Sequence, residues 1–145
     1  MNATTLTPAL PVARAAAATD LAALLLRLAL GVMFFFHGLI KFTVFTLPGT
    51  VQFFESLGYP GWTAYLVAPA ELLAGIALVA GFRTRTVALL SLPILLGSLL
   101  AHAGNGWLFS APNGGWEYPL FLTVAAIVLA LLGGGRYAVS RATAR

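Results

Sequence analysis

Six residues of this sequence have side chains able to do acid–base or charge chemistry within or beside apolar stretches: Arg27, His37, Lys41, Glu71, His102 and Glu117. Three of them, Arg27, His37 and Lys41, fall in the run LRLALGVMFFFHGLIKF. At the turn angle of an α-helix they occupy an arc of roughly 80°, so one face carries all three. A charge held in hydrocarbon costs roughly 2.5–3.5 kcal/mol on insertion scales, so such residues face a bundle interior and a partner. Glu71, His102 and Glu117 are the downstream candidates for that partner.

Helical rise gives each group a depth. Counted from the cytoplasmic end of the first span, Arg27 lies about 9 Å in and His37 about 24 Å in, with Lys41 at the outer boundary. Glu71 enters from the outside and lies about 13 Å deep, His102 is level with His37, and Glu117 opens the last apolar segment. Glu71 is therefore expected to meet Arg27 from below and His37 or Lys41 from above. One reading is an ion pair that fixes helix register. The other is an intramembrane pocket for a ligand, a proton or a quinone headgroup. Lys41 has a blander alternative, snorkelling to the headgroups. His37 and His102 have the ligand type of a two-histidine haem, but carbonyls or carboxylates satisfy such histidines equally well, so haem is the lesser expectation. Two histidines and scattered carboxylates give no metal site.

Four apolar segments must position these groups: residues 21–40, 63–82, 86–103 and 118–135. Each matches the roughly 20 residues that cross a hydrocarbon core of about 30 Å. Hydrophobic residues make up 60% of the chain and charged residues 8%, against about 25% charged in a soluble domain. With a mean hydropathy of +0.94, a soluble enzyme is excluded and lipid is the solvent. The predicted fold is all-α, an integral membrane four-helix bundle spanning residues 21–137. Lys and Arg concentrate in the N-terminal segment, the second connection and the C-terminus, which places both termini in the cytoplasm. Residues 1–20 read as a mobile cytoplasmic tail and 138–145 as a basic one,. A signal peptide is the poorer reading of the start, because the apolar run is too long and no small-residue cleavage site follows it. Asp20 is expected to cap the first span and Thr86 to open the third.

The net charge of +4 forms no groove-sized patch, so nucleic acid is not an expected partner. No cysteine is present, which removes thiolate catalysis, disulfide exchange, iron–sulfur ligation and lipidation at cysteine. No phosphate loop, zinc-protease motif, nucleophile elbow or dinucleotide glycine pattern occurs. Any redox role then needs a bound cofactor or a partner protein.

The outward connections are elaborate. PGTVQFFESLGYP predicts a short interfacial or re-entrant helix from about Thr50 to Leu57,. Trp62, Trp107, Trp116, Tyr59 and Tyr118 form an aromatic belt at the outer boundary,. Gly31, Gly38, Ala70, Ala74 and Gly97 permit close helix approach, and Pro69 and Pro93 can bend their helices and open room between them.

Taken together, LLLRLALGVMFFFHGLIKF, PAELLAGIALVAGFRTR, HAGNGW, GGWEYPL and GGGRYAVSR resemble the DoxX family of small four-span membrane proteins, from about Leu24 to Ser140. The resemblance implies a four-helix bundle in a bacterial inner membrane. Its relatives include the DoxD-type subunit of thiosulfate:quinone oxidoreductase and members that act with redox or oxidative-stress partners. Arg27, His37, Lys41, Glu71 and Glu117 are the family-like polar positions. The expected function is a subunit or accessory factor of a quinone-linked membrane redox process. In it Glu71 and His37 supply acid–base groups, Arg27 and Lys41 balance charge, and Glu117 or His102 lines the mouth. A protein partner and a homo-oligomer are expected with it. The rival expectation is a non-enzymatic scaffold or small-molecule carrier, which would copurify with a partner and without a quinone.

Overall fold

The computed structural model of the protein describes residues 9–140, and the expectations for residues 1–8 and 141–145 lie outside the described residues. Regular structure among the described residues is entirely helical: α1 Ala9–Thr43, α2 Leu47–Ser56, a single 3-10 turn Gly61–Thr63, α3 Ala64–Ala80, α4 Thr84–His102 and α5 Glu117–Leu132. Three stretches, in α1, Gly61–Ala80 and α4, are long and apolar enough to cross a membrane. The last helix, α5, is equally apolar but has 16 residues, about 24 Å of rise. It stops short of the predicted residue 135 because Gly133 and Gly135 take positive φ and turn the chain back over the end of the molecule.

Several boundaries differ from the sequence reading. The helix begins at Ala9, so residues 9–20 are helix where a tail was expected; its AAAA run has the highest intrinsic helix propensity. Asp20 consequently lies inside α1 and caps nothing there. Its carboxylate instead accepts the backbone N–H of Arg136 at 2.9 Å, tying the C-terminal segment to α1. The third long helix opens at Thr84, two residues before the expected Thr86. It follows a turn made by Gly81 in the left-handed region (φ 75°), and Phe82 N–H closes that turn on Ala77 O at 2.8 Å,. The short helix of the first connection exists as predicted but starts earlier, at Leu47, because Thr46 Oγ1 accepts from Gly49 N–H and Pro48 suits the first turn,.

Packing is organised as two antiparallel pairs, α1 with α3 and α4 with α5, which meet along lighter α3–α4 and α1–α5 seams. The first pair is held at backbone distance by glycines. A Cβ at Gly38 would lie 2.6 Å from Leu72 N, one at Gly31 would lie 2.8 Å from Val79 Cγ2, and one at Gly75 would strike the backbone of Phe35. Without a hydrophobic drive between helices in lipid, such close approach and its dispersion contacts replace it. Of the expected small-residue contacts Gly97 departs, since a Cβ there meets nothing; it borders a cavity instead. The shared core comprises Leu30, Phe34, Leu78, Ala88, Leu95, Leu122, Ala126 and Leu129. Large apolar side chains such as Leu66, Leu73, Leu90 and Leu131 face outward, where lipid covers them.

Replacing Gly38 by Val should therefore destabilise the detergent-solubilised protein by about 1–3 kcal/mol through overpacking, read as a fall in melting temperature. Gly97→Ala, with open space around it, should leave the melting temperature unchanged or raise it slightly.

Candidate functional site

Arg27 and Lys41 of α1 find their partners in two different places, and Arg27 Nε alone is left buried without one. Arg27, 3% exposed, lies level with the end of α3, where the Gly31-to-Val79 approach sets the register. Its guanidinium donates from Nη1 to Leu78 O at 3.1 Å and to Val79 O, and from Nη2 to Tyr137 O at 2.8 Å. These are carbonyls of the last turn of α3, where Leu78 O also accepts the Gly81 N–H at 3.1 Å, and of the strap that follows α5. A forked cation is well matched to both. Arg27 is thus not the partner of Glu71, which sits two turns further along α3, about 10 Å away by helical rise.

Lys41 takes that place. Its stem folds back toward the N-terminus of α1, as helix side chains tend to. Nζ donates to His37 O at 3.1 Å and to Glu71 Oε2 at 2.5 Å. The two side chains are 15% and 9% exposed, so Lys41 does not snorkel outward. Together they form the one salt bridge among the described residues. A charge-assisted bond of this kind, screened from water, is among the stronger ones available to a side chain.

Beside that pair lies a cavity of about 480 Å³. Its walls come from every helix: Met33, Phe34, His37 and Lys41 of α1, Phe53 and Phe54 of α2 with Leu57 just after it, Val67 and Glu71 of α3, Pro93, Gly97, Ser98, Ala101 and His102 of α4, and Tyr118, Pro119 and Leu122 of α5. The lining is mostly apolar, with polar groups at a few points, the usual make-up of a small-molecule site. His37 Nδ1 is 2.9 Å from Met33 O. A carbonyl can only accept, so Nδ1 carries the proton and Nε2 of the neutral ring is the acceptor. The ring lies roughly parallel to that of Tyr118, centroids 6.3 Å apart. Over the cavity, Tyr59 OH donates to Gly97 O at 2.8 Å, holding the segment after α2 against α4.

Of the six residues singled out by sequence, the fold gathers four around this space: His37, Lys41, Glu71 and His102. Arg27 is at the opposite end. Glu117 is not in the lining, because its Oε1 accepts Phe109 N–H at 2.7 Å and orders the loop between α4 and α5. Ser98 and Tyr59 line the cavity without having been picked out. A serine in the outer half of an apolar span was the available signal for Ser98. Tyr59 was readable only as one more interfacial aromatic. Among the described residues no group of three or more metal-ligating side chains is present.

Arg27→Lys should loosen the strap, since a single ammonium cannot reproduce the fork; a loss of about 2 kcal/mol is expected for the bonds forfeited. Faster tryptic cleavage at Arg136 in the variant is the outcome that checks it.

Comparison with known proteins places this architecture. The DoxX family model matches residues 22–104, which hold all of α1's polar face, Glu71 and His102. The chain is 37% identical over 115 residues to a Bacillus subtilis (strain 168) protein named "Putative oxidoreductase CatD", covering 79% of this chain and 81% of that one. It is 31% identical over 125 residues to "Inner membrane protein YqjF" of Escherichia coli (strain K12), covering 84% and 92%. No solved structure matches it. A helical membrane protein with this span of similarity belongs to the DoxX family.

Proposed function

We propose that the protein is a quinone-binding subunit or accessory factor of a redox process in a bacterial inner membrane. The observation that carries this reading is the Lys41–Glu71 pair set in the wall of an otherwise apolar, 480 Å³ cavity. A quinone ring is flat, apolar on its faces and polar only at two carbonyl oxygens, and the donor set fits it. Lys41 Nζ and the hydroxyl of Ser98 can donate to a carbonyl, the Tyr118 and His37 rings offer flat faces, and Met33, Phe54 and Leu122 cover the apolar parts. When bound, a quinone supplies two-electron, two-proton chemistry. The chain's own part is to hold the ring, to keep bulk water from it, and to accept or donate protons at Glu71 and at His37 Nε2.

The names of the two relatives, one an oxidoreductase by name and one an inner membrane protein, support this assignment. In this reading α5 completes a fourth span and both termini lie in the cytoplasm. The arginines at residues 83, 85 and 136 gather at one end, with Asp20, Gly81 and Ser140. Electrons must come from a partner protein, since the chain has no cysteine and no metal cluster among its described residues. Assembly with that partner, or with further copies of the chain, is part of the proposal.

The test is binding of menadione to detergent-purified protein, followed by quenching of tryptophan fluorescence. Glu71→Gln and Lys41→Met should each weaken binding at least tenfold. They should also destabilise the fold by about 3–5 kcal/mol, because each leaves a buried charge or its partner alone. The double variant K41M/E71L should recover much of the stability and none of the binding. Wild-type protein that neither binds menadione nor copurifies with a quinone would overturn the reading and favour a scaffold or carrier.

A further inference from the structure

A second, smaller space of about 240 Å³ lies between α2 and α4, lined by Phe53, Ser56, Leu57, Ala101, His102, Asn105 and Asn113. It differs in character from the large cavity, because Ser56, His102, Asn105 and Asn113 make much of its wall polar. The two spaces share four residues, Phe53, Leu57, Ala101 and His102. Only His102 among them has a polar side chain.

His102 is held firmly. Its Nδ1 lies 3.0 Å from Gly114 O and 3.1 Å from Asn113 O. Carbonyls only accept, so Nδ1 carries a proton and Nε2 is left as the exchangeable nitrogen. Asn105 Nδ2 donates to the same two carbonyls at 3.0 and 3.1 Å, which pins the loop to the end of α4. These bonds fix the ring with Nε2 turned away from the two carbonyls.

The opposite end of the molecule is closed. There Arg27 fills the space between α3 and the strap, and a Cβ at Gly81 would already touch Ala138 and the guanidinium. The strap is laced on by Ser140, whose Oγ donates to Gly81 O at 3.0 Å and accepts from Arg83 N–H at 2.6 Å.

We infer that the smaller space is a water-filled vestibule, and that His102 is the gate through which water, protons and small hydrogen-bonding solutes pass to the Lys41–Glu71 pair. The route runs from the α2 end. It rests on the redox reading for what it serves, proton exchange with a bound quinone, and on the lining that the two adjoining spaces share, with His102 in both walls, for its existence.

The cysteine-free chain permits a direct test in proteoliposomes. Single cysteines are placed at Ser98, which lines only the large cavity, at Ser110 in the α4–α5 loop, and at Arg136 at the arginine end. Each is challenged with a small, membrane-impermeant cationic methanethiosulfonate, which reacts with thiolate in water. S98C should be labelled from the side that labels S110C and not from the side that labels R136C. Adding His102→Phe should slow labelling of S98C at least tenfold and leave S110C unchanged, which also shows that the loop remains folded. An S98C that is inert from both sides, or labelled from the R136C side, overturns the inference. So does a rate untouched by His102→Phe. Menadione should protect S98C; labelling of S98C by this route, with no binding of menadione to the wild-type chain, would retire the quinone reading while leaving the route standing.

Discussion

The bond between Lys41 and Glu71 imposes the strictest condition on this protein. Two opposite charges between apolar helices are tolerable only when they meet with good geometry and stay met. That demands a fixed register between α1 and α3, and glycines at residues 31, 38 and 75 provide it by bringing the two backbones together. With the helices locked, Lys41 needs only to fold back one turn to reach its partner, and a second of its three protons goes to His37 O. A cavity beside such a pair inherits an ionic wall with no net charge. A neutral molecule with one or two strong hydrogen-bonding atoms suits it better than an ion.

The same helix carries a second cation with a different solution. Arg27 is buried and meets only carbonyl oxygens, at the end of α3 and on the strap after α5. A guanidinium spreads its charge over a planar fork and is less strongly hydrated than an ammonium, so several dipoles can replace its water. Lysine, a point charge, takes a carboxylate. This division of labour packs one end of the helix pairs around a guanidinium and leaves the cavity toward the other. It explains why α2 and the Gly-rich loop, rather than another strap, lie over the cavity.

The seam between the two helix pairs is the place where packing gives way. Neither pair brings a glycine into backbone contact with the other at that level. Pro93 and Gly97 thin the facing side of α4, and both border the cavity. Tyr59 spans the gap by a single hydrogen bond to Gly97 O. A cavity in a membrane protein is thus made by withholding side chains on one helix while another pair holds the scaffold rigid.

Composition and periodicity alone determined the helical class, the lipid environment, the short helix of the first connection and the shared face of Arg27, His37 and Lys41. These follow from local chemistry: hydropathy over a span, turn residues, and the angle per residue. They also singled out four residues that do line the cavity, because an ionisable group in an apolar span must be buried against something. The choice of partner was beyond them. Depth arithmetic brought Arg27 toward Glu71, but helix register depends on glycine contacts between distant segments, and only the packed α1–α3 pair decided that Lys41 takes the carboxylate. Tertiary structure likewise decided that Asp20 holds Arg136 rather than capping α1, that Glu117 serves the loop, and that Tyr59 closes over the cavity. Each of these is a bond between residues far apart in the chain, and no spacing within one segment encodes it.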